Sequence, residues 1–214
     1  MGFQSSLKQN PKLKKLMLWL LFRRRPNSSR VRRFIWLFTI FPRYFNHGII
    51  AGARLDLVPF HKFKLGKNSR IEKGTVVANG MGDVIIHEEV HTGIGCILLG
   101  PLEMHKHVTL AQYVRVNGMH HGLDVGEPHH FQPCFRAPIV IEEDAFVGTG
   151  TVILGKKNGE TLTIGKYSRI GANAVIVDDV PPYSVVVGNP AKVVREWDFK
   201  QKKWVAAKSH EKKA

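Results

Sequence analysis

Aliphatic residues recur every six places over most of the chain. In residues 139–154 they stand at Ile141, Val147 and Ile153, and after a gap the same spacing resumes at Ile164. A helix places apolar residues every three to four positions, and a half-buried strand places them every second position. A period of six fits neither pattern. It predicts a coil of very short strands with a turn after each strand.

A small or medium-sized residue stands two places before most of these aliphatic residues. The aliphatic series, in which Thr92 takes one place, is Leu65, Ile71, Val77, Ile86, Thr92, Leu98, Met104, Leu110, Val116, Ile141, Val147, Ile153, Ile164, Ile170 and Ile176. The second series is Ser69, Thr75, Val90, Cys96, Val108, Val114, Ala145, Thr151, Ser168, Ala174 and Val180. Both series are predicted to face one narrow core.

The period also predicts the shape of the core. Because one repeat cannot bury its own apolar side, the coils must stack on each other. Three six-residue sides per coil predict a triangular prism with coils about 4.8 Å apart, the spacing of strands in a sheet. Glycine often follows the aliphatic residue, where the chain turns a corner and glycine costs least; examples are Gly66, Gly148, Gly165, Gly171 and Gly188.

The repeat is interrupted in three places. Residues 76–86 contain Gly80 and Gly82 and predict a loop, residues 117–138 are rich in Gly, Pro and His, and residues 155–160 predict a surface hairpin. A long loop that breaks a regular architecture is usually functional.

Histidine stands at two corners, His87 and His105, where the repeat favours glycine. Either these corners are strained or the turn is relaxed enough to accept a side chain. A local function for the two histidines is a further interpretation.

Residues 55–197 resemble the hexapeptide-repeat acyltransferases. The segment DDVPPYSVVVGNPAKVVREW, residues 178–197, is similar to the end of the sugar O-acetyltransferase branch, which includes maltose, galactoside and colanic-acid acetyltransferases. The resemblance implies a mainly β fold, a left-handed parallel β-helix, and a homotrimer. Crossovers between parallel strands are normally right-handed, so the left hand follows from the resemblance alone.

Three regions are predicted along the chain. Residues 1–54 form a basic amphipathic N-terminal extension, and residues 55–194 form the β-helix, interrupted by the loop 117–138. Residues 195–214 are predicted to be a short capping helix with a basic tail, because Trp197 and Trp204, seven places apart, would share one helical face.

Charge is unevenly distributed along the chain. The formal net charge is +15, and residues 1–48 contain many Lys and Arg residues but no Asp or Glu. The apolar runs LMLWLLF and FIWLFTIF are far shorter than the roughly 18–20 residues that a membrane-spanning helix needs. Two cysteines, Cys96 and Cys134, give no disulfide framework and favour a reducing compartment.

Three interpretations of the extension stay open. It covers the open end of the β-helix, it lies in a membrane interface with its arginines on anionic headgroups, or it binds nucleic acid. No nucleic-acid motif supports the third, and relatives in the resembling branch carry similar extensions. We therefore expect a cytoplasmic protein, peripheral contact with the inner face of a bacterial membrane through residues 1–45, and no nucleic-acid partner.

The segment NGMHHGLDV, residues 117–125, is similar to the catalytic segment of the family. Aligned on Gly122, the histidine shared by its versions falls on His121, and the neighbouring His120 is the alternative. The resemblance implies that one of them is a general base, for which imidazole is suited because it titrates near neutral pH. Asp124 or Glu127 could orient the ring.

The resemblance also implies a set of contacts to acetyl-CoA, the expected acyl donor. Thr149 and Ala172 match positions whose backbone contacts the pantetheine arm, and Lys192 and Arg195 match basic positions near the nucleotide phosphates. The backbone N–H of Gly148 is our candidate donor to the oxyanion.

One family feature is missing from this chain. A Thr-Lys pair that many relatives have before Asp-Val-Pro reads Val177-Asp178 here. One phosphate contact is therefore absent, and Lys156, Lys157 or Lys166 could replace it.

Together these features predict an O-acetyltransferase. It would move an acetyl group from acetyl-CoA to a saccharide hydroxyl, in a cell-surface polysaccharide or its precursor, with no required metal. Two alternatives are a zinc enzyme similar to the γ-carbonic anhydrases, suggested by eleven histidines, and a non-catalytic trimeric scaffold.

Overall fold

The structure is a computed structural model that describes residues 10–12 and 52–207. The predicted N-terminal extension, residues 1–54, lies almost entirely outside the described residues, as do residues 208–214. Within the described part, no helix has both the length and the apolar character that crossing a bilayer requires.

Three sheets of mainly parallel strands form the sides of a prism. Side one contains β1 (Arg54–Asp56), β4 (Val76–Ala78), β7 (Ile97–Leu99), β10 (Arg115–Asn117), β15 (Val152–Leu154) and β18 (Val175–Ile176). Side two contains β2 (Phe63–Leu65), β5 (Val84–Ile86), β8 (Leu102–Met104), β13 (Ile139–Ile141) and β16 (Leu162–Ile164). Side three contains β3 (Arg70–Ile71), β6 (His91–Thr92), β9 (Thr109–Leu110), β14 (Phe146–Val147), β17 (Arg169–Ile170), β19 (Ser184–Gly188), β20 (Ala191–Asp198) and β21 (Lys203–Ala206).

The strands stack in register from coil to coil. Val116 of β10 pairs with Leu98 below it and with Ile153 above it, and all three are buried. The same direct stacking continues on the other two sides, so each coil places its aliphatic residues above those of the previous coil. The prism predicted from the six-residue period is confirmed.

The predicted core is also confirmed. Every residue of both series named from the sequence is buried in the interior of the prism, including the polar members Ser69, Thr75, Thr92, Thr151 and Ser168. Burial raises the pKa of the Cys96 thiol, which donates to the Ala111 carbonyl oxygen at 3.2 Å. Side chains from three sheets therefore fill one continuous core.

The three corners of the prism differ in length, and we name them by their contents. The loop corner joins side one to side two through residues 57–62, 79–83, 100–101, 118–138 and 155–161. The histidine corner joins side two to side three through the four-residue turns 66–69, 87–90, 105–108, 142–145 and 165–168. The glycine corner joins side three back to side one through the four-residue turns 72–75, 93–96, 111–114, 148–151 and 171–174.

Backbone strain at the histidine corner does not fall on His87 or His105. The left-handed residues are Glu89, with φ 57°, and His107, with φ 63°, each two places later in its turn. A side chain at the first corner position therefore costs no unusual φ. The turn is the relaxed one of the two alternatives.

The short C-terminal helix predicted for residues 195–214 is wrong for its described part. Residues 195–207 continue into an antiparallel hairpin, in which β20 pairs with β19 on one side and β21 on the other. Trp197 stands opposite Trp204, and their ring centroids lie 5.3 Å apart in an edge-to-face contact. A separation of seven residues that would match a helical face is here the separation of two cross-strand partners.

Candidate functional site

The loop of residues 118–138 is an ordered excursion from the loop corner. Two short strands, β11 (Met119–His121) and β12 (Cys134–Arg136), pair antiparallel at its base, and a single 3₁₀ turn (His129–Phe131) lies near its tip. The excursion leaves side one after Asn117 and rejoins side two at Ile139. Both histidines proposed as the base lie on β11.

Gln132 holds the tip of this loop together. Its side chain is buried and accepts from the Asp124 N–H at 2.9 Å, while its Nε2 donates to the Asp124 and Glu127 carbonyl oxygens, both at 2.8 Å. Sequence reasoning missed this residue. The available signal was a lone amide side chain in a segment that has no repeat of its own.

His120 is fixed by the next coil. Its Nε2 lies 2.5 Å from the Gly155 carbonyl oxygen, and the ring is half-buried. Because a carbonyl oxygen can only accept, the Nε2 must carry the proton. The other ring nitrogen, Nδ1, is then an unprotonated acceptor in the neutral ring.

The Gly155 peptide is held from both sides. Its N–H donates to the Asn117 carbonyl oxygen at 3.1 Å, and its own carbonyl oxygen receives His120. A Cβ at this position would lie 2.1 Å from the Ala137 carbonyl oxygen, so only glycine fits. Close approach of the loop to the prism therefore requires this residue, which lies in a turn at residues 155–161 rather than in the predicted hairpin.

His121 has a different environment. It is exposed, its Nδ1 lies 3.3 Å from the Cys134 Sγ, and its ring centroid is 4.8 Å from that of His129. These contacts do not assign its proton to one nitrogen. Among the described residues, neither Asp124 nor Glu127 comes within ion-pair distance of a histidine, so the carboxylates suggested from the sequence do not orient either ring.

A second contact ties the loop to the first coil. The Nη2 of Arg136 lies 3.2 Å from the Nε2 of His61, and the Nδ1 of His61 lies 2.6 Å from the Asn79 carbonyl oxygen. His61 therefore carries its proton on Nδ1 and accepts from Arg136. The loop thus reaches coils on both sides of its own.

The glycine corner corrects one sequence prediction. The Gly148 N–H donates to the Ile170 carbonyl oxygen at 2.8 Å, so it is not available to an oxyanion as predicted. In the described chain, the N–H groups of Thr149, which follows Gly148, and of Ala172 in the next glycine-corner turn make no hydrogen bond, and Ala172 is exposed. Because a Cβ at Gly148 would lie 2.7 Å from the Ala172 nitrogen, glycine allows the two turns to stack closely.

The two basic candidates lie apart on β20, Lys192 near its start and Arg195 near its middle. Lys192 pairs with Val187, directly above Gly171, and therefore lies at the glycine corner near Ala172. Arg195 pairs with Val185, three residues along the strand, roughly 10 Å from Lys192 at the usual strand rise. Both side chains are exposed.

Lys156 is already paired. Its ammonium lies 2.7 Å from the Asp179 carboxylate, and this hydrogen bond raises the pKa of Lys156. Burial works against ionisation of Asp179, but hydrogen bonds from Lys156 and from the Thr163 N–H outweigh it and lower the pKa of Asp179. Lys156 and Lys157 lie at the loop corner and Lys166 at the histidine corner, so none of the three joins Lys192 within one chain.

Within one chain, the histidine loop and the glycine corner do not meet. Residues 149–155 run along side one between the two corners, which separates them by up to about 22 Å of extended chain. Apart from Arg195, which lies on side three, the predicted site residues thus form two groups on one protomer. His120 and His121 lie at the loop corner, and Gly148, Thr149, Ala172 and Lys192 lie at the glycine corner.

Comparison with known proteins gives partial relatives. The chain is 41% identical over 69 residues to a 2,3,4,5-tetrahydropyridine-2,6-dicarboxylate N-acetyltransferase of Brevibacillus brevis, covering 32% of this chain and 27% of that enzyme. It is 34% identical over 102 residues to a serine acetyltransferase of Bacillus subtilis, covering 48% and 40%. The chain therefore spans well under half the length of either relative. No protein-family model matches it.

A solved structure gives the fold. A mutant of AntD, an N-acyltransferase from Bacillus cereus solved with dTDP-4-amino-4,6-dideoxyglucose and coenzyme A, superposes with a TM-score of 0.59 at 17% identity. The match covers 72% of this chain and 82% of AntD. In its described part, the protein is thus a left-handed parallel β-helix of the kind that hexapeptide-repeat acyltransferases adopt.

Proposed function

We propose that the protein is an acetyl-CoA-dependent O-acetyltransferase whose acceptor is a saccharide hydroxyl. The observation that carries the proposal is the clamped imidazole of His120 at the base of the only long excursion in the described coils. Support also comes from the acetyltransferases that the repeats resemble in sequence. The nucleotide sugar and coenzyme A in the AntD complex support a saccharide acceptor.

The base assigned by this proposal is His120, with His121 as the alternative. With its Nε2 proton held by the Gly155 carbonyl oxygen, His120 offers a lone pair on Nδ1. Nδ1 takes the proton of the acceptor hydroxyl while the oxygen attacks the thioester carbon. When the tetrahedral species collapses, the same proton passes to the departing CoA thiolate, giving an acetyl ester and free CoA.

The acyl donor is proposed to lie along the glycine corner. The unbonded N–H groups of Thr149 and Ala172 suit the amides of a pantetheine arm, and Lys192 suits an anionic phosphate. The Thr149 N–H replaces that of Gly148 as our candidate oxyanion donor. Since His120 lies at another corner, the proposed site combines the loop of one chain with the glycine corner of its neighbour in a homotrimer.

Thiol release from acetyl-CoA, measured with a panel of saccharide acceptors, tests the chemistry. His120→Ala should lower kcat about 10²- to 10⁴-fold, as expected for loss of a positioned general base. His130→Ala, on the same loop, is the matched control and should keep activity. A loss confined to His121→Ala would move the base to His121, and no thiol release with any acceptor would end the proposal.

Mixing two inactive variants tests the shared site. His120→Ala removes the loop function, and Ala172→Trp fills the exposed glycine corner. If each site uses two chains, random exchange in an equal mixture regenerates about a quarter of the sites in a closed ring. A mixture that stays inactive after verified subunit exchange would place both groups in one chain's site.

Peripheral membrane contact through residues 1–45 is a further part of the proposal. The basic and aromatic composition of that segment supports it. The full chain should float with vesicles containing anionic lipid, and a chain lacking residues 1–40 should not. Equal flotation of the two chains would rule out membrane contact through residues 1–40.

A further inference from the structure

The histidine corner brings together three metal-binding side chains that the proposed acetyl transfer does not use. They are His87 on coil two, and Glu103 and His105 on coil three. We propose that these three side chains bind a divalent transition-metal ion of the zinc class. The site lies on a different corner from both the loop of residues 118–138 and the glycine turns.

The distances suit one ion. The His87 Nε2 lies 2.8 Å from the Glu103 Oε1, and the His105 Nε2 lies 3.7 Å from the same oxygen. All three ligand atoms lie within 4.8 Å of one another. Tetrahedral zinc, with bonds of about 2.0–2.2 Å, requires ligand atoms roughly 3.3–3.6 Å apart. The two observed contacts bracket that range, so small side-chain rotations complete the triangle.

The backbone presents these ligands without adjustment. Ile85 of β5 pairs with Glu103 of β8, and the His87 N–H donates to the Met104 carbonyl oxygen at 2.9 Å, so His87 and His105 occupy the same position in successive coils. Their rings lie 5.4 Å apart. Glu103 and His105 are two residues apart in extended chain and share the outer face, since Met104 between them is buried.

Access and ligand type favour a transition metal. The side chains of His87, Glu103 and His105 are 33%, 43% and 40% exposed, which leaves room for water in the remaining coordination positions. Two imidazoles and one carboxylate suit Zn²⁺, Ni²⁺ or Cu²⁺ better than Mg²⁺ or Ca²⁺, which prefer oxygen.

The charge around the site favours a cation, although the chain carries a net charge of +15. Acidic residues crowd this corner on coils two and four: Glu88, Glu89, Glu142, Glu143 and Asp144. Two cationic groups at this corner have partners of their own, Lys106 with Glu143 at 3.2 Å and Arg169 with Asp144 at 3.1 Å. Glu142, above His105, is occupied in part by the Lys166 N–H at 2.9 Å.

Calorimetric titration of the full-length, chelator-treated protein with Zn²⁺ tests the site. One ion per chain should bind, and Glu103→Gln and His105→Gln should each weaken its affinity at least about tenfold. His107→Asn is the matched control. It lies on the same turn as His105, it pairs with Glu89 at 3.0 Å instead of Glu103, and asparagine tolerates its left-handed φ.

Thermal unfolding provides a second readout, which depends neither on the heat of Zn²⁺ binding nor on enzyme activity. Excess Zn²⁺ should raise the Tm of the wild type and of His107→Asn, because a ligand bound only by the folded state stabilises it. The same Zn²⁺ concentration should raise the Tm of Glu103→Gln by clearly less, because the ion binds that variant more weakly, and the metal-free Tm values of the three proteins should agree.

One competing set of ligands must be separated. His121, Cys134 and His129 adjoin at the loop corner and could also take zinc. Cys134→Ser should leave Zn²⁺ affinity unchanged. Undiminished affinity in the double variant Glu103→Gln, His105→Gln, or loss of binding in Cys134→Ser, would overturn the proposal.

Discussion

The loop corner and the histidine corner enclose the same core but differ in the lengths of the connections that they contain. The loop corner accepts connections as short as Gly100–Pro101 and as long as residues 118–138, whereas every turn of the histidine corner has four residues. Side two restarts in register at Ile139 after the long excursion, with Leu102 below and Leu162 above it. The length of a connection at the loop corner can therefore vary as long as the next strand pairs in register with the coils below and above it.

The two corners also position side chains by different means. At the histidine corner, the stacking of coils two and three places His87 directly below His105. At the loop corner, His120 depends on contacts that the loop makes for itself, through Gln132 and the Gly155 carbonyl oxygen. The loop corner can therefore carry a side chain away from the prism, whereas the histidine corner holds equivalent side chains of successive coils at a fixed spacing.

Matched insertions should show the largest contrast between the two corners. Four Gly/Ser residues inserted between Val125 and Gly126 should cost less than about 1 kcal/mol, because loop closure depends weakly on length. The same insertion between Glu143 and Asp144 breaks the Asp144 N–H to Lys106 and Ala145 N–H to Glu142 hydrogen bonds and the Asp144–Arg169 pair, and should cost several times more. Urea denaturation measures both; equal costs would abolish the distinction.

Gly155→Ala should damage the loop corner by crowding. The new Cβ would meet the Ala137 carbonyl oxygen at 2.1 Å, so the peptide that holds His120 must move. We expect a loss of about 1–3 kcal/mol in the free energy of unfolding, with a fall in kcat. Gly80→Ala, on the same corner with open space around it, is the control. Normal kcat in Gly155→Ala would show that His120 does not need this carbonyl.

Gln132→Ala should loosen the loop and leave the prism intact. It removes the acceptor of the Asp124 N–H and the donor to two carbonyl oxygens, a local cost of about 1–3 kcal/mol. Amide hydrogen exchange should accelerate near Asp124 with little change in the global Tm. Gln132→Glu, which keeps the volume but loses the Nε2 donor, should behave similarly; slow exchange in both would assign the loop's order to other contacts.

The smallest effect is expected from Asp198, at the end of β20, on the pH dependence of Tm. The hydrogen bond from the Gln201 N–H, helped by that from the Lys200 N–H, outweighs desolvation and lowers the pKa of Asp198 below its usual 3.8. A lowered folded-state pKa means stability that is present above the unfolded value and lost as the pH falls through the folded value. Asp198→Asn should therefore lose less Tm than the wild type between about pH 5 and pH 3. Parallel Tm curves would contradict this.

The sequence was sufficient for the prism because a strict period leaves few alternatives. Ile141, Val147 and Ile153 alone set three sides, and all are buried as predicted. The same reasoning misjudged the reason for corner glycines: at Gly148 the requirement is close approach to the next coil, with no positive φ. It also predicted that the Gly148 N–H would donate to an oxyanion, although that N–H donates to the Ile170 carbonyl oxygen of the next coil.

Elements that lie outside the six-residue repeat were predicted less accurately than the prism. The Trp197–Trp204 separation suits a helix and a hairpin equally, and only the preceding strand β19, which offers a free edge, selects the hairpin. Inside the loop, the roles of Gln132 and Arg136 depend on a chain path over many residues, for which sequence spacing gives no rule. Sequence spacing does not choose between His120 and His121 for the same reason, because the two residues differ in their contacts and not in the sequence pattern.

The hairpin at the last coil gives the molecule a direction. Up to β19 each strand offers the next an edge of the same polarity, so a stack of coils is in principle a template for indefinite addition of further coils, including those of another molecule. On side three, β20 and β21 run antiparallel to their neighbours, so the last edge of that side has a different bonding pattern. The reversal therefore removes from side three the parallel edge with which a further coil would pair.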